Sequence, residues 1–133
     1  MKKAVFIQLL FIIVLMVNAQ HTGKATFYGT KFNNRKTASG EIYRKDSMVC
    51  AHKTYPFGTL LKVKNLHNDK EVVVRVIDRG PFRKKFIIDL SYAAAKKIDM
   101  LSRGVADVMV SEHKYNLPAP FTIYMFDTLK LPK

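Results

Sequence analysis

RVIDRGPFRKKFIIDLS, residues 75–91, places two aspartates, Asp78 and Asp89, at the ends of two apolar runs. Gly80-Pro81 and a basic turn separate the runs. Proline cannot donate to a strand ladder, so the first run stops there. A carboxylate at the end of a buried strand sits at the rim of a core, where burial shifts its pKa and a substrate reaches it.

The segments on either side extend this β reading. Upstream, Leu60–Leu66 and Glu71–Asp78 flank an Asn68-Asp69 turn and read as a hairpin. Downstream, Phe86–Leu90 reads as a strand, and Ser91 is a good N-cap for a helix over Tyr92–Asp99, whose AAAKK segment favours helix. Ala25–Gly29, Val105–Glu112 and Phe121–Phe126 read as further strands, and Met48–His52 as a short apolar run. The polar stretch 30–47, with Asn33-Asn34 and Ser39-Gly40, reads as a long ordered loop. Six or so short strands with one helix predict a mostly β domain, a small closed barrel.

The N-terminus has a different character. Lys2 and Lys3 precede the apolar run 4–17, and Val17-Asn18-Ala19 supplies small residues for cleavage before Gln20. This is the pattern of a secretory signal peptide over residues 1–19, followed by a single domain over 20–133. The run is shorter than the ~20 residues a spanning helix needs, so stable membrane insertion is not expected. No cysteine follows it closely enough to carry a lipid anchor, and the protein is expected in the periplasm or cell envelope. Cys50, the only cysteine, reads as a small buried hydrophobe between apolar neighbours.

The chain carries a net charge of +13. Without Lys2 and Lys3, 21 basic residues face 10 acidic ones, a net of +11. A basic exported domain favours an anionic partner. Export and the absence of a nucleic-acid motif argue against nucleic acid. Bacterial wall glycan, with a lactyl carboxylate on every second sugar, fits.

Most of the acids sit in turns, tails or solvent-facing positions, which leaves Glu41, Asp78 and Asp89. In a regular strand Val72, Val74, Val76 and Asp78 share one face, so Asp78 continues an apolar row. Desolvation there would keep it protonated and able to serve as a general acid. A turn-capping aspartate paired with Arg79 is the equal alternative. Asp89, just before the helix, reads chiefly as support for free N–H groups at the helix start. His52 follows an apolar run without a partner histidine at ligand spacing. No metal site and no cofactor motif is predicted.

Five ordered segments together resemble one family: GKATFYGTKF (23–32), TASGEIY (37–43), AHKTYPFGTLLKVKNL (51–66), VVVRVIDRGPF (72–82) and IIDLSYAAAKKIDM (87–100). They resemble the rare lipoprotein A family of septal-ring lytic transglycosylases. The resemblance implies a six-stranded double-psi β-barrel with one or two short helices. It also implies cleavage of the β-1,4 bond between N-acetylmuramic acid and N-acetylglucosamine in peptidoglycan, with a preference for strands stripped of stem peptides and 1,6-anhydro ends as product. The sugar's own C6 hydroxyl displaces the leaving group in that reaction, so one acid/base suffices where ordinary glycoside hydrolysis needs two carboxylates. By this resemblance Asp78 is the general acid/base, with Asp89 the second choice. His52 orients it or binds the sugar, and Glu41 positions substrate. Tyr28, Thr37, Ser39, Arg79 and Asp89 bind substrate, and the protein acts as a monomer without a cofactor. The alternative is a non-catalytic, expansin-like wall-binding barrel.

Overall fold

Alternation of buried and exposed residues builds the barrel. We describe the protein from a computed structural model that covers residues 2–3 and 19–115. The signal-peptide run 4–17 and the expected strand Phe121–Phe126 lie outside the described residues. The elements are β1 (Gln20–Phe27), a 3-10 turn (Thr30–Phe32), β2 (Val49–His52), β3 (Leu60–Asn65), β4 (Glu71–Asp78), β5 (Phe86–Leu90), α1 (Tyr92–Lys97) and β6 (Ala106–Glu112). In β3 and β4, Leu61, Val63, Val72, Val74 and Val76 are buried at period two, so the hairpin lays one apolar row inward.

The six strands close into a barrel in the order β1-β5-β2-β4-β3-β6. Two neighbouring pairs, β1/β5 and β2/β4, are parallel, and the others are antiparallel. This is the double-psi barrel implied by the resemblance. The inward residues of all six strands and of α1 form one core, including Ala25, Cys50, Leu61, Val74, Ile88, Leu90, Ile98 and Val108. Burial pushes the Cys50 thiol far up, so it is an inert part of that core.

Several elements differ from the sequence reading. β1 starts at Gln20 rather than Ala25, because β6 covers its first turn of ladder from Gln20↔Ser111 onward. The Met48–His52 run is a full barrel strand, buried throughout β2. The helix stops at Lys97, since Asp99 takes a positive φ of 56° and turns the chain away. Ser91 caps the helix as expected, its Oγ accepting from the Ala94 N–H at 3.2 Å. The 30–47 segment is a loop carrying the 3-10 turn and a single Lys36↔Ile42 bridge.

The main correction concerns the exit of β4. Between Cys50↔Val76 and Ala51↔Asp78 the β2/β4 pairing shifts by one residue, with Ile77 as the extra residue. Ile77 is buried directly after buried Val76, which breaks the alternation. It packs with Tyr43 and Val49 in a second cluster, separate from the main core. A bulge of this kind re-aims the side chain that follows it. Asp78 therefore does not continue the Val72–Val74–Val76 row. It emerges half-buried beside Tyr28, which packs on the second cluster.

Candidate active site

Asp78 of β4 and Asp89 of β5 are both in register with Ala51 of β2, and β1 lies on the far side of β5. This arrangement brings Asp78, Asp89, Thr26 and Tyr28 to one groove of about 600 Å3. Its rim is aromatic and basic, with Phe32, Arg79, Phe82, Arg83 and Phe86. Gly80, at φ 131°, forms part of the floor, where an added Cβ would lie 3.9 Å from an Asp89 carboxylate oxygen. A side chain there would be strained by the backbone angle and would narrow the approach to Asp89.

The two aspartates are held differently. Asp78 accepts three hydrogen bonds. Its Oδ2 accepts from the Tyr28 hydroxyl at 2.6 Å, and its Oδ1 from the Ala38 and Arg79 N–H groups at 2.9 Å each. Tyr28 is stacked on Tyr43, with ring centroids 4.4 Å apart. Burial, helped by Asp78, pushes the Tyr28 phenol far up, so it stays a donor. Asp89 has one partner, the Thr26 hydroxyl, which donates to Oδ1. Burial raises the Asp89 carboxyl above its ordinary range; the Asp78 charge adds to this, and the Thr26 bond opposes it. The helix-start role read for Asp89 is taken by Ser91, and the Asp89 carboxyl faces the groove instead.

The TASGE segment lies against the end of β4. The Thr37 hydroxyl donates to the Ile77 carbonyl at 2.9 Å and lies 2.7 Å from the Glu41 carbonyl; the Ser39 N–H also reaches Ile77 at 3.2 Å. The Glu41 carboxylate makes a fork-to-fork pair with Arg75, 2.7 Å on each side. That hydrogen-bonded pair holds the Glu41 carboxyl below its usual range. Thr37, Ser39 and Glu41 thus build the loop that delivers the Ala38 N–H to Asp78, and none of the three lines the groove.

His52 lies apart from the groove as well. It lines a separate pocket of about 400 Å3 with His21, Thr22, Lys53, Thr54, Tyr55 and Ile87. Its Nδ1 accepts from the Thr54 and Tyr55 N–H groups at 3.1 and 3.2 Å, and burial lowers its pKa, so the ring is neutral. Its backbone carbonyl, with that of Tyr55, accepts from the Arg79 guanidinium at 3.2 and 2.9 Å. Arg79 is further packed 4.0 Å over the Phe57 ring. The expected trio of Asp78, His52 and Glu41 is thus spread over a groove, a neighbouring pocket and a surface ion pair. The carboxyl that joins Asp78 in the groove is Asp89. Sequence reasoning missed Thr26 and the Ala38 N–H. Thr26 was findable, since it stands two residues before Tyr28 in the Ala25–Gly29 segment that reads as one strand, where the two share a face. Among the described residues no group of His, Cys, Asp and Glu side chains has the arrangement to hold a metal ion.

Residues 20–110 match the family described as lytic transglycolase. Proteins named endolytic peptidoglycan transglycosylase RlpA are similar to this chain. The one from Haemophilus influenzae is 50% identical over 88 residues, covering 66% of this chain and 31% of that protein. The Campylobacter jejuni protein is 48% identical over 95 residues (71% and 34%), and the Vibrio cholerae protein 53% over 89 residues (67% and 34%). The chain thus spans about a third of the length of these relatives. Among solved structures, the Streptomyces papain inhibitor is similar at 26% identity and a TM-score of 0.59, covering 74% of this chain and 98% of that one. A Clavibacter michiganensis expansin shares the fold at 20% identity and a TM-score of 0.59, covering 75% of this chain and 53% of its own. The family match runs from β1 into β6 and includes both aspartate motifs, and on that ground the chain belongs to the lytic transglycolase family.

Proposed function

We propose that the protein is an endolytic peptidoglycan lytic transglycosylase. In this reading its N-terminal segment directs it to the periplasm or cell envelope, where it acts as a monomer. It cleaves the MurNAc-β-1,4-GlcNAc bond of peptide-free glycan strands and leaves 1,6-anhydroMurNAc ends. The observation that carries the proposal is the pairing of two unlike carboxyls in one groove. Opposed environments for two acids are the usual mark of a divided acid/base task.

Asp89, whose carboxyl burial raises above its ordinary range, donates its proton to the departing glycosidic oxygen as the C1–O bond breaks. The C6 hydroxyl oxygen of the muramyl sugar then bonds to C1, and its proton passes to Asp78. Asp78 is oriented for this by Tyr28 and two backbone N–H groups. One proton leaves the pair and one returns, and exchange between the two carboxyls or through water resets it. No water adds to C1, so the ring closes as an anhydro sugar.

This division revises the order expected from strand parity, which favoured Asp78 as the acid. With the bulge at Ile77 the parity argument no longer applies. Glu41 and His52 become positioning residues. Glu41 acts through Arg75 and the loop that carries Ala38, and His52 through the turn that holds Arg79. Thr37 and Ser39 serve that loop, while Tyr28 and Arg79 face the sugar.

The test is digestion of amidase-stripped sacculi, with mass spectrometry of the released ends. Anhydro-muramyl ends are expected. Tight binding to sacculi without such ends would defeat the enzyme reading and leave a wall-binding barrel.

A further inference from the structure

The groove contains an electrostatic mismatch. Among the described residues there are four ion pairs, Lys24–Asp107, Lys64–Asp69, Lys70–Asp99 and Arg75–Glu41. None includes a cation of the turn that follows Gly80-Pro81. Asp78 and Asp89 line the same groove, yet they take their hydrogen bonds from Tyr28, Thr26 and backbone N–H groups. Arg83, Lys84 and Lys85 are exposed, and among the described residues no carboxylate pairs with any of them.

The turn is nonetheless held in place. The Lys53 ammonium donates to the Arg83 carbonyl at 3.3 Å, and the Lys24 N–H to the Lys85 carbonyl at 3.1 Å. The Arg83 guanidinium lies over the Phe86 ring. Phe82, beside it on the groove rim, is 88% exposed, by far the most exposed of the barrel's large apolar side chains. A fixed backbone that presents a bare aromatic face and three unpaired cations is organised for a ligand that is both sugar-like and anionic. The ring can pack on the C–H face of a pyranose while the cations meet a negative substituent.

We infer that the Phe82–Lys85 turn reads the free lactyl carboxylate of muramic acid, and that this charge is how the groove selects peptide-free glycan. The inference rests on the proposed function and names the feature of that substrate which the site recognises. A stem peptide converts the lactyl carboxylate into an amide and removes the charge at that position. Peptide removal restores it on every second sugar, at a spacing fixed by the glycan. Phe82 supplies sugar affinity without regard to charge, and Arg83, Lys84 and Lys85 supply the discrimination.

The test compares peptide-free strands with the same strands after carbodiimide coupling of the lactyl groups to methylamine, which cancels the charge and keeps the sugars. The wild-type protein is expected to show a KM about tenfold lower on the carboxylate strands, roughly 1.4 kcal/mol by the standard conversion, with kcat alike on both. Arg83→Gln, Lys84→Gln and Lys85→Gln combined should erase that ratio. Phe82→Ala should raise KM on both strands together. Raising the ionic strength to about 1 M, where the Debye length is about 3 Å, should shrink the wild-type ratio in the same way. Equal KM values on the two strands, or a ratio that survives in the triple variant, would overturn the inference while leaving the proposed activity standing. If the wild type yields no anhydro ends from either strand, the proposed activity fails. The ratio of dissociation constants for fluorescently labelled strands then decides the role of the turn by itself.

Discussion

Asp78 and Asp89 occupy matching places, each the acid at the exit of an apolar strand, and both face one groove. Their surroundings differ in one respect that matters. Asp78 follows a bulge and is met by three donors, two of them backbone N–H groups that cannot move away. Asp89 lies in a strand paired on both sides and has a single hydroxyl partner. In the proposed mechanism the number of donors that reach a carboxyl, more than its depth in the sequence pattern, separates the proton acceptor from the proton donor.

Replacing the proton holder breaks the comparison most directly. Asp89→Asn keeps the shape and the Thr26 contact but cannot donate an acidic proton. Release of anhydro-muramyl ends should fall by about 10²–10⁴-fold, the usual worth of a general acid. Stability should move the other way. The folded protein holds the Asp89 proton above the ordinary 3.8, so it binds more protons than the unfolded chain in that window, and its stability falls as pH rises through the folded pKa. The asparagine variant escapes this loss. Its Tm should match the wild type at low pH, exceed it increasingly as pH rises through that window, and stay ahead by a constant margin above it. A Tm difference that is flat in pH would show that Asp89 is not a strained acid.

Asp78→Asn should cost less, about 10²-fold in kcat, because part of the role passes to solvent or to Asp89. The more informative readout is the pH–rate profile. If Asp89 is the acid, the basic limb of the profile should remain in the variant. Loss of the basic limb instead would exchange the two roles and return Asp78 to the position of acid.

Tyr28→Phe removes one of three donors and keeps the ring stacked on Tyr43. One hydrogen bond to a charged group contributes about 1.5–3 kcal/mol, so kcat should drop by about tenfold or somewhat more. A structural role alone would lower Tm and leave kcat near the wild-type value wherever the variant is folded. An orienting role should lower kcat with Tm nearly unchanged.

These contrasts were only partly legible in the sequence. The β3–β4 hairpin, β5 and the Ser91 cap follow from local alternation, a turn pair and a hydroxyl at the right place, all of which act over a few residues. The bulge at Ile77 does not, because it is set by β2, whose partner residues lie more than twenty positions upstream. One inserted residue reverses facing, so the strand-parity argument for Asp78 failed although its alternation was sound as far as Val76. Tyr28–Asp78 and Thr26–Asp89 span 50 and 63 residues, and only barrel closure joins them. The TASGE segment was legible as important but not as what it is, a loop whose backbone serves the site while its carboxylate turns to Arg75.

Glu41 gives the third and smallest comparison, a carboxyl of the same motif set that stands outside the groove. Its pair with Arg75 is bidentate but solvent-exposed, so solvent screening limits it to about 1 kcal/mol or less. Its carboxyl is held below the ordinary range, so the stabilisation is present above the unfolded-state pKa and is lost as pH falls through the folded one. Glu41→Gln should therefore lower Tm slightly at neutral pH and not at all in strong acid, with the difference shrinking in high salt. Activity should fall by only about threefold, corresponding to the looser hold on the Ala38 N–H, if Glu41 acts through the loop. An Arg75→Gln variant should reproduce that loss, since either half of the pair releases the same loop. A loss of a hundredfold or more for Glu41→Gln, with Arg75→Gln nearly neutral, would mean that the carboxylate leaves its arginine and reaches the sugar. Glu41 would then join the two aspartates as a catalytic group.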